Sequence, residues 1–178
     1  PAKLADLHLP VRIGGDMAFI KGVMKILLER EREVPGSVLD HEFIADCTVG
    51  FDEAAASLDA VGMDEIMAAS GLSREQFAAA AEMILNARSF ITCWAMGVTQ
   101  HTDAVATIQD IVNLHLLRGS IGKPGAGLCP VRGHSNVQGD RTMGIWERMT
   151  PGFRENLERE FEFTAPANDG FNTVESIA

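Results

Sequence analysis

Residues 119–139, GSIGKPGAGLCPVRGHSNVQG, decide how this chain is interpreted. The segment is rich in glycine, contains two prolines, and follows neither a helical nor a strand period. Ordering such backbone is costly, because glycine loses more conformational freedom on folding than any other residue. The cost makes physical sense where bare main chain lines a surface that a large ligand approaches closely. We therefore expect this segment to form one side of a ligand-binding surface.

The composition is that of a folded protein with a sizeable core. The chain has 178 residues, of which 46% are hydrophobic and 22% are charged, and this excludes a disordered chain. The formal net charge of −10 argues against nucleic acid or an anionic membrane as the main partner. No apolar run is long enough to span a bilayer. Three cysteines without Cys-x-x-Cys spacing predict reduced thiols and a cytoplasmic location.

The pattern of apolar residues predicts an α/β fold. Residues 5–11 alternate in polarity and predict a strand, which would enter a glycine turn and then a helix with Asp16 as its N-cap. Residues 90–95 predict a second strand, buried on both faces. Helices fill the region between them, including one that starts with a capping box at Ser73 and Gln76. A further helix after the second strand would end at Gly119. Strand, tight turn and helix are the unit of parallel sheets, and two strands need other chain segments to complete such a sheet.

Two groups of residues would follow the carboxyl ends of these strands. One interpretation of Gly14, Gly15 and Asp16 is a glycine turn followed by a helix N-cap. On the other, the Asp16 carboxylate accepts hydrogen bonds from ribose hydroxyls or a guanine edge. Gln100 lies one helical turn after Met96, and its amide both donates and accepts, which suits a pterin or purine edge. The alternative is a polar residue near a helix start.

Arg132 and His134 are the candidates for catalysis. A guanidinium within glycine-rich backbone offers a planar fork for a small carboxylate or oxyanion, and a nearby imidazole transfers protons near neutral pH. The alternative for both is a solvated surface residue. A nucleoside-triphosphatase loop at Lys123 is disfavoured, because Leu117 and Pro124 replace the glycine and the Ser/Thr that such a loop requires.

Several stretches resemble the molybdopterin oxidoreductases of the formate dehydrogenase branch. They are WAMGVTQH at 94–101 and LLRGSIGKPGAGLCPVRGHSNVQGDRTMG at 116–144, together with VRIGGDMAF at 11–19 and TPGF at 150–153. The resemblance implies an internal fragment of a larger catalytic subunit. Residues 1–144 would then be a helix-rich part of the parallel-sheet, dinucleotide-binding-like domain of the formate dehydrogenase/DMSO reductase fold, and residues 145–178 a connecting helix and tail of loop composition.

The resemblance also implies a cofactor, bis-molybdopterin guanine dinucleotide with molybdenum. Gly14, Gly15 and Asp16 would contact its guanine end, and Met96 and Gln100 would be further cofactor contacts. The Cys or selenocysteine that ligates the molybdenum would lie upstream, and so would an iron–sulfur cluster. This chain would therefore supply no metal ligand.

Arg132 matches the family arginine that orients formate or a similar small anion beside the molybdenum. His134 stands where better-known formate dehydrogenases have Gln, in the context RGQNN. This difference concerns the identity of the substrate more than that of the cofactor. The implied activity is two-electron oxidation in the full-length enzyme. The implied partners of this chain are the remaining segments of its own subunit and an electron-transfer partner. The isolated chain would be inactive. The alternative is a non-catalytic ligand-binding or interaction module on the same scaffold.

Overall fold

This computed structural model describes residues 2–134, 136–144 and 146–178, which divide into two units. The first unit, Pro1–Val131, contains a 3₁₀ turn at Ala2–Leu4 and the elements α1 (Asp16–Glu33), α2 (His41–Cys47), α3 (Phe51–Ala60), α4 (Met63–Ser70), α5 (Arg74–Asn86), β1 (Ile91–Trp94), α6 (Met96–Thr99), α7 (Ala104–Leu117) and β2 (Gly127–Pro130). The second unit, Arg132–Ala178, contains α8 (Val137–Thr142), α9 (Pro151–Phe161) and α10 (Thr173–Ile177). The domain boundary expected after residue 144 stays a prediction.

Helix α1 organises the core of the first unit. Its apolar residues recur at helical spacing, so that Ile20, Val23, Met24, Leu27 and Leu28 are all buried. They pack against α3, α4, α5 and α7. Gly22 is buried in the same helix, where any Cβ would collide with the ring of Phe77 on α5. Phe77 has no exposed surface, and α1 and α5 therefore approach each other more closely than a larger residue would permit.

The two strands pair in parallel, which confirms the predicted α/β class with a parallel sheet. Ile91 lies opposite Gly127, and Trp94 lies opposite Pro130. One face of the sheet, with Trp94 and Leu128, packs against the core. The other face is exposed, with 56% of the Ile91 surface accessible. The prediction that residues 90–95 are buried on both faces is therefore wrong for this chain.

Two local end signals were predicted correctly. The capping box at the start of α5 is present: Ser73 Oγ accepts from the Gln76 N–H at 3.4 Å, and Gln76 Oε1 accepts from the Ser73 N–H at 2.8 Å. Helix α7 ends at Leu117 with Arg118 as its C-cap, and the following Gly119 takes a left-handed φ of 55°.

Three other predictions are corrected. Residues 5–11 form no strand within the described chain. The N-cap of α1 is Gly15, while Asp16 is the first helical residue and makes no capping hydrogen bond. The segment after residue 164 is not all loop, because α10 forms there with its own capping box at Asn172 and Glu175. Among the described helices, none is long and apolar enough to cross a membrane.

Candidate functional site

The carboxyl edge of the sheet is the candidate site, because parallel α/β sheets bind ligands outside the carboxyl ends of their strands. Both strands end at this edge, since Trp94 lies opposite Pro130. The Val131 N–H donates to the Trp94 carbonyl at 2.7 Å and extends the ladder by one bond. The residues that follow β1 and the residue that follows β2 therefore leave the sheet side by side.

Met96 and Gln100 lie together at this edge. Helix α6 starts directly after β1 with Met96 as its first residue, and Gln100 is its C-cap. The Gln100 side-chain amide donates to the Met96 sulfur at 3.7 Å, as expected for residues four apart on a helix. Both side chains are exposed, and 47% of the Met96 surface is accessible. No atom lies within 4 Å of a Cβ built on Gly97 between them, so this end of the sheet offers an open surface with an amide and a thioether.

Gly14 and Gly15 have separate roles in the turn before α1. Gly14 is exposed and has a φ of 80°, which favours glycine. Gly15 is buried, and a Cβ there would lie 2.9 Å from Ser70 Cα and 2.9 Å from the Arg12 carbonyl oxygen. The turn is held against the end of α4 by the Arg12 N–H, which donates to the Ser70 carbonyl at 2.8 Å. Packing against α4 thus explains Gly15 without a ligand.

Asp16 keeps its carboxylate available, because its side chain makes no hydrogen bond or ion pair within the described part of the chain. It is half-buried in the first turn of α1, where the helix dipole favours negative charge. Since residues 5–11 form no strand, Asp16 does not follow a strand end as the sequence predicted. Its role as a cofactor contact stays a prediction.

Arg132 and His134 lie in the second unit, just before α8. Both side chains are exposed, and within the described residues neither makes a side-chain hydrogen bond or an ion pair. Arg132 follows Val131 in the chain, and Ser135 lies outside the described residues. The guanidinium and the imidazole are therefore available to a ligand, while their catalytic roles stay predictions.

Two features near the sheet carry no site. His115 has no exposed surface, and its ring nitrogens contact Thr92 Oγ1 at 2.7 Å and the Ser120 carbonyl at 3.1 Å. Burial lowers the pKa of His115, which favours a neutral, structural imidazole. Cys93 and Cys129 are register partners, and the neighbouring Cys129 thiol raises the pKa of Cys93. Across the described ranges, no three His, Cys, Asp or Glu side chains gather as a metal site.

Sequence reasoning missed one cluster, formed by Arg88, Arg118 and Lys123 around a cleft at the opposite edge of the sheet. Arg118 and Lys123 were visible in the glycine-rich region, but nothing in the sequence showed that Arg88 joins them.

No family model matches the chain. It is 51% identical over 174 residues to the uncharacterised oxidoreductase Rv2900c of Mycobacterium tuberculosis, which covers 98% of this chain and 22% of that protein. It is 32% identical over 153 residues to formate dehydrogenase H of Escherichia coli, which covers 86% of this chain and 21% of that enzyme. Acetylene hydratase from Pelobacter acetylenicus superposes with a TM-score of 0.61 at 23% identity, over 70% of this chain and 16% of that chain.

The structural likeness shows a shared fold, and the sequence identities show that the chain is homologous to part of longer proteins. The chain spans about a fifth of the length of the curated relatives it matches. It matches a segment of larger proteins that are named as oxidoreductases, and this match confirms the resemblance to the molybdopterin oxidoreductases of the formate dehydrogenase branch.

Proposed function

We propose that this chain is part of a molybdopterin-dependent oxidoreductase and that the carboxyl edge of its sheet contacts a bis-molybdopterin guanine dinucleotide cofactor. The observation that carries the proposal is the exposed pair of Met96 and Gln100, side by side at that edge. Its family relationship to formate dehydrogenase H supports the same function.

The exposed residues fit such a group. The Gln100 amide offers a donor and an acceptor to the mixed edge of a pterin or guanine, and the polarisable Met96 thioether suits a flat ring system. Asp16 adds an uncapped carboxylate that accepts from guanine N–H groups or ribose hydroxyls. When bound, the cofactor supplies the two-electron chemistry. The protein residues bind it and orient it.

Arg132 and His134 are assigned to the substrate. The Arg132 guanidinium holds a small anion such as formate by two parallel hydrogen bonds and stabilises its charge as electrons leave. His134 takes up the proton that formate loses on conversion to carbon dioxide. An iron–sulfur cluster elsewhere in the subunit would supply the electron transfer to a partner, so we expect this chain alone not to turn over. We place the protein in the cytoplasm, because its three free cysteines suit a reducing compartment.

Gln100→Ala in the full-length protein tests the cofactor contact. We expect the variant to release less molybdenum and guanine per polypeptide after purification than the parent protein. The matched control is Gln109→Ala, an exposed glutamine on α7, which should leave both contents unchanged. Equal cofactor contents in the two variants would remove Gln100 from the site.

Arg132→Lys tests the substrate contact. An ammonium lacks the planar fork of a guanidinium, so we expect kcat/KM for formate to fall by about tenfold or more while the cofactor content stays normal. Arg148→Lys, at an exposed arginine of the same unit, is the control. Unchanged kinetics in Arg132→Lys would exclude the assigned role. A full-length protein that never carries the cofactor would instead favour a non-catalytic module.

A further inference from the structure

A cleft of about 500 Å³ opens at the amino edge of the sheet. Basic and hydroxyl side chains and the turn after α7 line it. The lining includes Arg88, Ser89, Arg118, Ser120 and Lys123. We call it the basic cleft. Arg88 and Ser89 precede β1, and the loop that carries Lys123 precedes β2. Because parallel strands share one direction, the basic cleft lies at the edge opposite Met96 and Gln100. It is therefore distinct from the proposed cofactor edge.

Positive charge in the basic cleft exceeds its negative partners. Lys123 Nζ is neutralised by Asp40 Oδ2 at 2.5 Å. Arg118 donates through Nη1 to the Val38 carbonyl at 2.5 Å and through Nη2 to the Ala87 carbonyl at 3.4 Å, but to no carboxylate within the described chain. Arg88 is exposed and makes no ion pair in the same part of the chain. Two positive charges are thus uncompensated, in a chain whose net charge is −10.

The uncompensated positive charge is unfavourable at Arg118, because part of its guanidinium is buried. Its guanidinium is half-buried, and its Nε is buried without a hydrogen-bond acceptor in the described structure. Burial lowers the pKa of Arg118, because desolvation disfavours its charged form. A buried charge is normally matched by an opposite charge and by hydrogen bonds to all its donors. An anion in the basic cleft would compensate this charge.

The size and the donors of the basic cleft favour an anion with several acceptor oxygens. An arginine fork binds two oxygens of one oxyanion at once. The Ser89 hydroxyl faces the same space and makes no hydrogen bond to the described residues. A single carboxylate would use only two acceptors and would leave most of the volume empty. A tetrahedral dianion matches both the charge and the number of donors.

We propose that the basic cleft is a binding site for a phosphate-type oxyanion, either free or as a phosphate group of a larger metabolite. Arg88 and Arg118 supply the charge, and Ser89 supplies a neutral donor. The site binds without hydrolysing its ligand, because the nucleotide-cradling pattern of a triphosphatase is missing around Lys123. Its function is separate from the redox chemistry at the other edge of the sheet.

Titration of the full-length protein with inorganic phosphate, at constant ionic strength balanced with chloride, tests the proposal by calorimetry. Arg88→Gln is the informative variant, because Arg88 is exposed and its side chain makes no hydrogen bond or ion pair to the residues that the structure describes. We expect its phosphate affinity to fall by about tenfold, since a charge-assisted hydrogen bond is lost. Arg74→Gln, at an exposed arginine of α5, should keep the parent affinity, and the cofactor content of both variants should be normal.

Two results would overturn the proposal. One is phosphate binding that is absent in the parent protein or equally strong in Arg88→Gln and Arg74→Gln. The other is acetate binding as tightly as phosphate with the same dependence on Arg88, which would identify a carboxylate site. To separate the two sources of the ligand, a phosphorylated sugar is titrated next. Binding at least tenfold tighter than inorganic phosphate would assign a metabolite, and equal binding would assign the free anion.

Discussion

Glu31→Gln should destabilise the chain more than any other change of one carboxylate to an amide. Glu31 is only 7% exposed and lies near the end of α1. Its carboxylate accepts hydrogen bonds from the backbone N–H groups of Gly36 at 2.5 Å, Val38 at 2.9 Å and Leu39 at 3.0 Å, and it contacts His41 Nε2 at 2.7 Å. It thereby satisfies three backbone N–H groups in the connection between α1 and α2. A glutamine offers one oxygen and turns an NH₂ group toward these donors.

The magnitude follows from the pKa of this group. Burial alone would raise the pKa of Glu31, but the hydrogen bonds from Gly36, His41, Leu39 and Val38 outweigh it and lower the pKa from 4.5 to about 2. This difference between the unfolded and folded states corresponds to roughly 3 kcal/mol of stability at pH 7. Because the folded pKa is the lower one, the stabilisation is complete above pH 4.5 and is lost as the pH falls toward 2. About 1 kcal/mol should be lost by pH 4 and about 2 kcal/mol by pH 3.

Urea unfolding followed by circular dichroism measures this contribution. At pH 7 we expect Glu31→Gln to lower the free energy of unfolding by about 2–4 kcal/mol. The deficit should shrink by about 1 kcal/mol at pH 4. Glu29→Gln, at an exposed position of the same helix, should change stability by less than about 0.5 kcal/mol. A Glu31 variant as stable as the Glu29 variant, or a deficit independent of pH, would refute this reasoning.

Three further changes test the packing around the sheet and α4, each by the same unfolding measurement. Gly15→Ala should cost about 1–3 kcal/mol, because its Cβ would meet backbone atoms of Ser70 and Arg12 at 2.9 Å. Gly97→Ala, in α6 and with no described contact within 4 Å of the added Cβ, should cost less than about 0.5 kcal/mol, and equal losses would contradict the close approach. Ser73→Ala should cost about 1 kcal/mol through loss of the capping box, and an unchanged midpoint would show that the box is unimportant. Thr92→Val should cost about 1–3 kcal/mol, because buried His115 loses a partner at 2.7 Å; full stability would mean that His115 needs no such partner.

Elements set by local chemistry were predictable from the sequence. The capping box at Ser73 and Gln76 and the glycine after α7 depend on residues within one helical turn, and both were identified. The juxtaposition of Met96 and Gln100 was equally local, since residues four apart on a helix share a face.

Elements set by distant partners were not predictable. Leu7, Leu9 and Val11 alternate because they pack against the core, yet no described strand pairs with them, so their pattern was mistaken for a strand. In β2, Gly127 and Pro130 disfavour a strand by propensity, and pairing with β1 overrides it. The hydrogen bond from Arg118 to the Val38 carbonyl was not predictable either, because the two residues are 80 positions apart in the sequence. Such contacts depend on tertiary packing, which one sequence without its fold does not reveal.

The central claim is that the carboxyl edge of this sheet contacts a molybdopterin cofactor within a longer subunit. Molybdenum and guanine analysis of the full-length protein, purified from cells that make the cofactor, tests it most directly. We predict about two guanine nucleotides per molybdenum, with both contents reduced by Gln100→Ala and by Met96→Ala. Protein from those cells that contains neither molybdenum nor guanine would contradict the claim.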